Sequence, residues 1–282
     1  MAVRASLALI EVASAFEALA QAMPVSAPVL VGCVLTLFVA YLVFGVSGFG
    51  ASLITIPVLS QVMPLPLLLS LAVVTDLAAA TIVAAFGQNR GEPGPRTRPA
   101  IDHAELWRLG LPAVAGATVG VTLLVGMPRD ASMFALGAFL LGYGAWSWRS
   151  RIPTAPLGAR WSLPFGFAGG LLGALFGIGG PPYVIYLSRR IFDPRRLRAT
   201  IAVVVLASLA IRFVVFLSAG LLMQPGLPAM LAVLLPVCVV SVLIGNRMFE
   251  HLSRERLHRV IASLLAVSGA LLIVRTLLDV GP

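Results

Sequence analysis

Two ionisable residues stand inside long apolar runs, Asp76 in PLLLSLAVVTDLAAATIVAAF and Arg212 in ATIAVVVLASLAIRFVVFLSAG. Charge in such a setting is costly and marks a functional group by default. A guanidinium there can bind an oxyanion directly. A carboxylate there can carry a coupling proton, or hold the arginine while the site is empty. The competing interpretation is a structural ion pair or a permanently protonated Asp76. Two glycine-rich breaks accompany the charges, GVSGFGA at 45–51 and GIGGPP at 177–182. An interrupted backbone in hydrocarbon leaves N–H and C=O groups that protein, water or a ligand must satisfy. Glycine lets a ligand approach the main chain, and Pro181-Pro182 suits a first helical turn, where N–H donors are dispensable. Helices starting near Ala51 and Pro181 would aim their positive ends at mid-membrane, an arrangement that favours an anion.

These features define a candidate substrate-binding set of Ser47, Gly48, Gly50, Ala51, Ser52, Gly177, Gly179, Gly180, Pro181, Tyr183, Tyr186 and Arg212, with Asp76 as the proton-coupling group. Ser47, Ser52, Thr55, Tyr183 and Tyr186 supply hydroxyl donors suited to sulfonate, sulfite or carboxylate oxygens. The plainer alternative is close helix packing at the glycines and back-bonding by the hydroxyls.

The elements that must position these residues follow from composition. The 282 residues are 59% hydrophobic and 11% charged, against roughly 25% charged in a soluble domain. Apolar runs of 18 or more residues recur, each long enough for ~30 Å of hydrocarbon. The class is therefore an all-α polytopic membrane protein. Helices are expected near 28–47, 51–62, 67–87, 104–126, 131–148, 162–176, 181–190, 196–221, 228–248 and 259–278. Residues 1–27 read as an interfacial helix or a signal-like segment, with Glu11 and Glu17 interrupting its apolar stretch.

An offset of 129 residues lays Gly48 on Gly177, Gly50 on Gly179 and Pro57 on Tyr186. It also lays 67–87 on 196–216 and 131–148 on 260–277. The economical explanation is an internal repeat, with a first membrane unit at 28–150 and a second at 160–278. Each unit would comprise a re-entrant broken-helix hairpin and three transmembrane helices. If both hairpins return to their side of entry, one side collects 16 of the 20 arginines, which marks it as cytoplasmic. The second unit is then inverted relative to the first, the plan of alternating-access carriers.

Residues 48–57, GFGASLITIP, together with 177–182, GIGGPP, resemble the paired Gly-rich signature of the sulfite exporter TauE/SafE family of membrane transporters. The resemblance extends over about 28–278. Ala51 and Ser52 replace two glycines of the signature in its first copy, and Tyr186 stands where that copy has Pro57. The resemblance implies movement of sulfite, thiosulfate or organosulfonates across the bacterial cytoplasmic membrane.

The expected function is secondary transport of a small sulfur-containing anion with proton coupling. The alternatives are an anion channel and a non-transporting membrane anchor or assembly subunit. The expected partners are the small anion and the lipid bilayer. Nucleic acid is not expected, because the net charge of +9 lies in short arginine clusters between apolar runs. Cys33 and Cys238 stand singly in apolar runs, and His103, His251 and His258 lack partners at metal spacing. No metal, cofactor or enzymatic activity is expected, and no nucleotide loop or nucleophile-base pair is present.

Overall fold

The computed structural model describes residues 24–47, 51–87, 101–149, 156–248, 269–270 and 273–274. Residues 1–23 and most of the expected helix at 259–278 lie outside that set. Apolar runs bounded by proline, glycine or charge form nine helices among the described residues. They are α1 (Ala27–Ser47), α2 (Ala51–Leu59), α3 (Leu65–Gly87), α4 (His103–Gly126) and α5 (Arg129–Arg149). After a 3-10 turn at Ala159–Trp161 come α6 (Ser162–Phe176), α7 (Gly180–Ser188), α8 (Pro194–Ser218) and α9 (Leu227–Met248).

Most ends fall within a few residues of expectation. Asp102 caps α4 by accepting from the Glu105 N–H at 3.3 Å. The helix expected at 196–221 stops at Ser218, because Gly220 adopts φ 72° and turns the chain into a 3-10 segment at Leu221–Met223. Likewise α2 ends at Leu59 rather than 62, where a turn leads to Pro64 and the start of α3.

Among the described residues, five helices are long and apolar enough to cross a bilayer, namely α1, α3, α4, α8 and α9. The 15 residues of α6 cover ~22 Å, and the 9 of α2 and of α7 cover ~14 Å each. The arms before the two breaks therefore differ. With 21 residues α1 is long enough to span alone, and α6 is not.

Glycine sets the closest packing. A Cβ on Gly116 would lie 2.1 Å from Phe167 O, and one on Gly170 would lie 2.0 Å from Ala113 O, so α4 and α6 touch backbone to backbone. Gly245 against Leu42 O, at 2.1 Å, and Gly45 against Val242 O, at 2.5 Å, do the same for α9 and α1. Helices α3 and α8 meet between these pairs. There α2 packs on α1 and α3, while α7 packs on α6 and α8. Both short helices are thereby held against the two helices that carry Asp76 and Arg212.

Candidate anion site

Asp76 lies at the midpoint of α3 and Arg212 in the C-terminal half of α8, and both are buried. Arg212 Nη2 donates to Asp76 Oδ2 at 3.1 Å. Ser52, the second residue of α2, donates from Oγ to the same oxygen at 2.5 Å. Tyr41 of α1 donates to Oδ1 at 2.8 Å and sits 2.6 Å from Thr75 Oγ1. Three donors from three helices thus converge on one buried carboxylate.

The second break meets the start of α2 here. Gly177 ends α6 at φ 70°, a left-handed conformation that glycine adopts without Cβ strain. A Cβ on it would lie 3.2 Å from Ser52 Cβ and 3.4 Å from Ile56 Cγ1. Arg212 Nη1 donates to Gly173 O at 2.9 Å, a carbonyl in the last turn of α6. The guanidinium therefore bridges Asp76 to the end of the broken helix. Its Nε is buried and has no hydrogen-bond partner among the described residues, so one donor remains unused.

The other candidates separate into groups. Ala51 begins α2 and is buried, whereas the Ser47 side chain, Gly48 and Gly50 lie outside the described residues. Thr55 bonds back to Ala51 O at 3.1 Å. Gly179 presses on backbone, with a Cβ there only 2.5 Å from Gly169 O, while one on Gly180 would meet nothing within 4 Å. Pro181 and Pro182 occupy the first turn of α7, so they contribute no N–H groups to an anion, leaving Gly179, Gly180 and Tyr183 as local main-chain donors. Tyr183 is buried, with its hydroxyl 3.0 Å from Ser208 Oγ. Beside it a void of about 10 Å³ is at the lower limit for one water molecule.

Tyr186 is not brought to Asp76 or Arg212 by any hydrogen bond; its hydroxyl donates to Glu105 Oε2 at 2.7 Å, near the start of α4. Both cysteines are free and buried in the core, and Cys238 Sγ lies 3.5 Å from Thr75 O. Sequence reasoning missed Tyr41, Thr75 and Gly173. Thr75 adjoins Asp76 in the chain, but Tyr41 and Gly173 carry no local signal, since only packing brings them to the site.

Against this geometry, the model of the family described as Sulfite exporter TauE/SafE matches residues 33–272. The chain belongs to that family of membrane transporters. A relative from Comamonas testosteroni, named as a probable inner membrane transporter protein TsaS, is 30% identical over 163 residues, covering 56% of this chain and 67% of the relative. A relative from Cupriavidus necator, named as a probable sulfite/organosulfonate exporter TauE, is 28% identical over 236 residues, covering 80% of this chain and 86% of the relative. No solved structure matches. Family membership and the five apolar helices make this a multi-pass protein of the bacterial inner membrane.

Proposed function

We propose that the chain is a secondary transporter of a small sulfur-containing anion, of the sulfite, thiosulfate or organosulfonate class, coupled to protons through Asp76. The observation that carries this reading is the grip on the Asp76 carboxylate. Arg212, Ser52 and Tyr41 hold an oxyanion that belongs to the chain, and a substrate oxyanion presents the same acceptors to the same donors. In this account Asp76 occupies the site between passages. A proton on Asp76 removes its charge and frees Arg212 Nη2 and Ser52 Oγ for the substrate, so proton and anion move together. The positive end of α2 lies at the same place through Ser52 and adds to the attraction.

The two-unit, inverted architecture is part of the proposal. The 129-residue offset pairs α1 with α6, α2 with α7, α3 with α8 and α4 with α9. Contacts recur under that pairing: α4 packs on α6 as α9 packs on α1, and α4 on α8 as α9 on α3. Gly116 and Gly245, one offset apart, make equivalent close approaches. These regularities support two units, 28–150 and 160–278, each lending a broken helix to one central site.

Equilibrium binding of labelled sulfite and thiosulfate to the purified chain tests the site. Arg212→Gln is expected to weaken binding at least tenfold, while Asp76→Asn, which removes a competing negative charge, preserves or improves it. Unchanged affinity in a folded Arg212→Gln variant would remove the site from this position.

A further inference from the structure

A second carboxylate sits in the same kind of grip. Glu105, in the first turn of α4, has only 3% of its side chain exposed. Tyr186 donates to its Oε2 at 2.7 Å. Arg190 donates to Oε1 from Nη2 at 2.8 Å and from Nε at 3.2 Å, and Arg108 Nη1 donates to the same oxygen at 2.9 Å. Like the set at Asp76, it puts a tyrosine hydroxyl and a guanidinium on one buried carboxylate, with a second arginine in place of Ser52. The charge balance differs. Asp76 and Arg212 cancel, whereas Glu105, Arg108 and Arg190 together carry a formal charge of +1.

Access differs too. The side chains of Arg108 and Arg190 are 46% and 30% exposed, against 4% for Arg212, so the N–H groups not bonded to Glu105, or in Arg190 to Leu157 O at 3.3 Å, can be reached without opening the core. Arg189, next in the chain, has a buried Nε with no hydrogen-bond partner among the described residues. Helix α7 links the two places, with Gly180 and the second break at one end and Tyr186 near the other. One short helix of ~14 Å thus connects both grips.

We infer that Arg108 and Arg190, held in place by Glu105 and Tyr186, form a second anion station at the arginine-rich mouth of the protein, binding the same class of small sulfur oxyanion on its way to or from Arg212. The inference rests on the proposed reading of the chain as an anion carrier. Glu105 orients the two guanidiniums and cancels one of their charges. That partial cancellation keeps the station weak, so an anion that stops there also leaves. A carrier gains from such a station because local positive charge concentrates anions at the entrance.

Equilibrium binding of labelled sulfite to the full chain in nanodiscs tests this over a wide concentration range. The wild type is expected to bind two anions, one tightly and one weakly. Arg190→Gln removes the weak site and keeps the tight one; Arg212→Gln does the reverse. Glu105→Gln raises the charge of the station by one and tightens the weak site about tenfold, which a merely structural role for Glu105 does not predict. Should Arg190→Gln fail to fold, Arg190→Lys keeps the charge but loses the planar fork, and it must still weaken that site. A single site in the wild type, or weak binding indifferent to both Arg190 and Glu105, overturns the inference. Tight binding that survives Arg212→Gln contradicts instead the assignment of the central site, so the two failures are distinct.

Discussion

Gly177, at the end of α6, rests against Ser52, at the start of α2: a Cβ on the glycine would lie 3.3 Å from the serine Oγ that donates to Asp76. The second break therefore meets the start of the first short helix. A left-handed turn from the second half of the sequence supports the residue that presents the first short helix to the central carboxylate.

Alanine at Gly177 adds a Cβ in a left-handed conformation, a strain of ~1–2 kcal/mol, and presses on Ser52 as well. Thermal unfolding of Gly177→Ala in detergent should show that modest loss of stability. Transport should fall further than stability, because the displaced serine belongs to the site. Wild-type transport in this variant would separate the break from the mechanism.

Ser52→Ala deletes one donor without adding bulk. The net worth of such a hydrogen bond is ~0.5–1.5 kcal/mol, so anion affinity should drop roughly two- to tenfold with folding intact. Titration of the purified variant with labelled sulfite reads this directly, and unchanged affinity would exclude Ser52 from the grip.

The two glycines at the start of α7 should behave oppositely. A Cβ on Gly179 would meet backbone at 2.5 Å, so Gly179→Ala should destabilise the fold and yield little protein. A Cβ on Gly180 meets nothing within 4 Å, so Gly180→Ala should fold normally. Any loss of affinity in Gly180→Ala then reports crowding of the bound anion. Size-exclusion profiles and binding measured together distinguish these outcomes.

Orientation can be read with single cysteines in a background where Cys33 and Cys238 are replaced. Phe192 and Met223 are both well exposed, in connections at opposite ends of α8. The arginine count places 192 inside and 223 outside. An impermeant thiol reagent applied to intact cells should therefore label Met223→Cys and spare Phe192→Cys; the reverse pattern would invert the assignment.

The helices were legible because glycine, proline and charge punctuate apolar runs, and Asp76 and Arg212 stood out because ionisable residues are costly among such neighbours. The 3-10 turn after Ser218 was not legible. Nothing in SAGLLM marks Gly220, rather than a later residue, as the left-handed stop. At the site, Tyr41 and the Gly173 carbonyl were invisible, since a lone tyrosine in an apolar run and one main-chain oxygen gain meaning only when α1 and α6 pack beside α3 and α8. The partner of Tyr186 was invisible for the same reason. The tyrosine hydroxyl suited an anion pocket, but the partner that fixes it is Glu105, 81 residues away.

Counterflow and net uptake of labelled sulfite in proteoliposomes, with and without a pH gradient, test the central claim most directly. Wild-type chain should accumulate sulfite when a pH gradient is imposed. Asp76→Asn should still exchange labelled for unlabelled sulfite but fail to accumulate it, and Arg212→Gln should do neither. If Asp76 and Arg212 were only a structural pair, each single variant would be unstable and the double variant Asp76→Asn with Arg212→Gln would regain stability and coupled transport. Full pH-driven accumulation in that double variant would contradict the account.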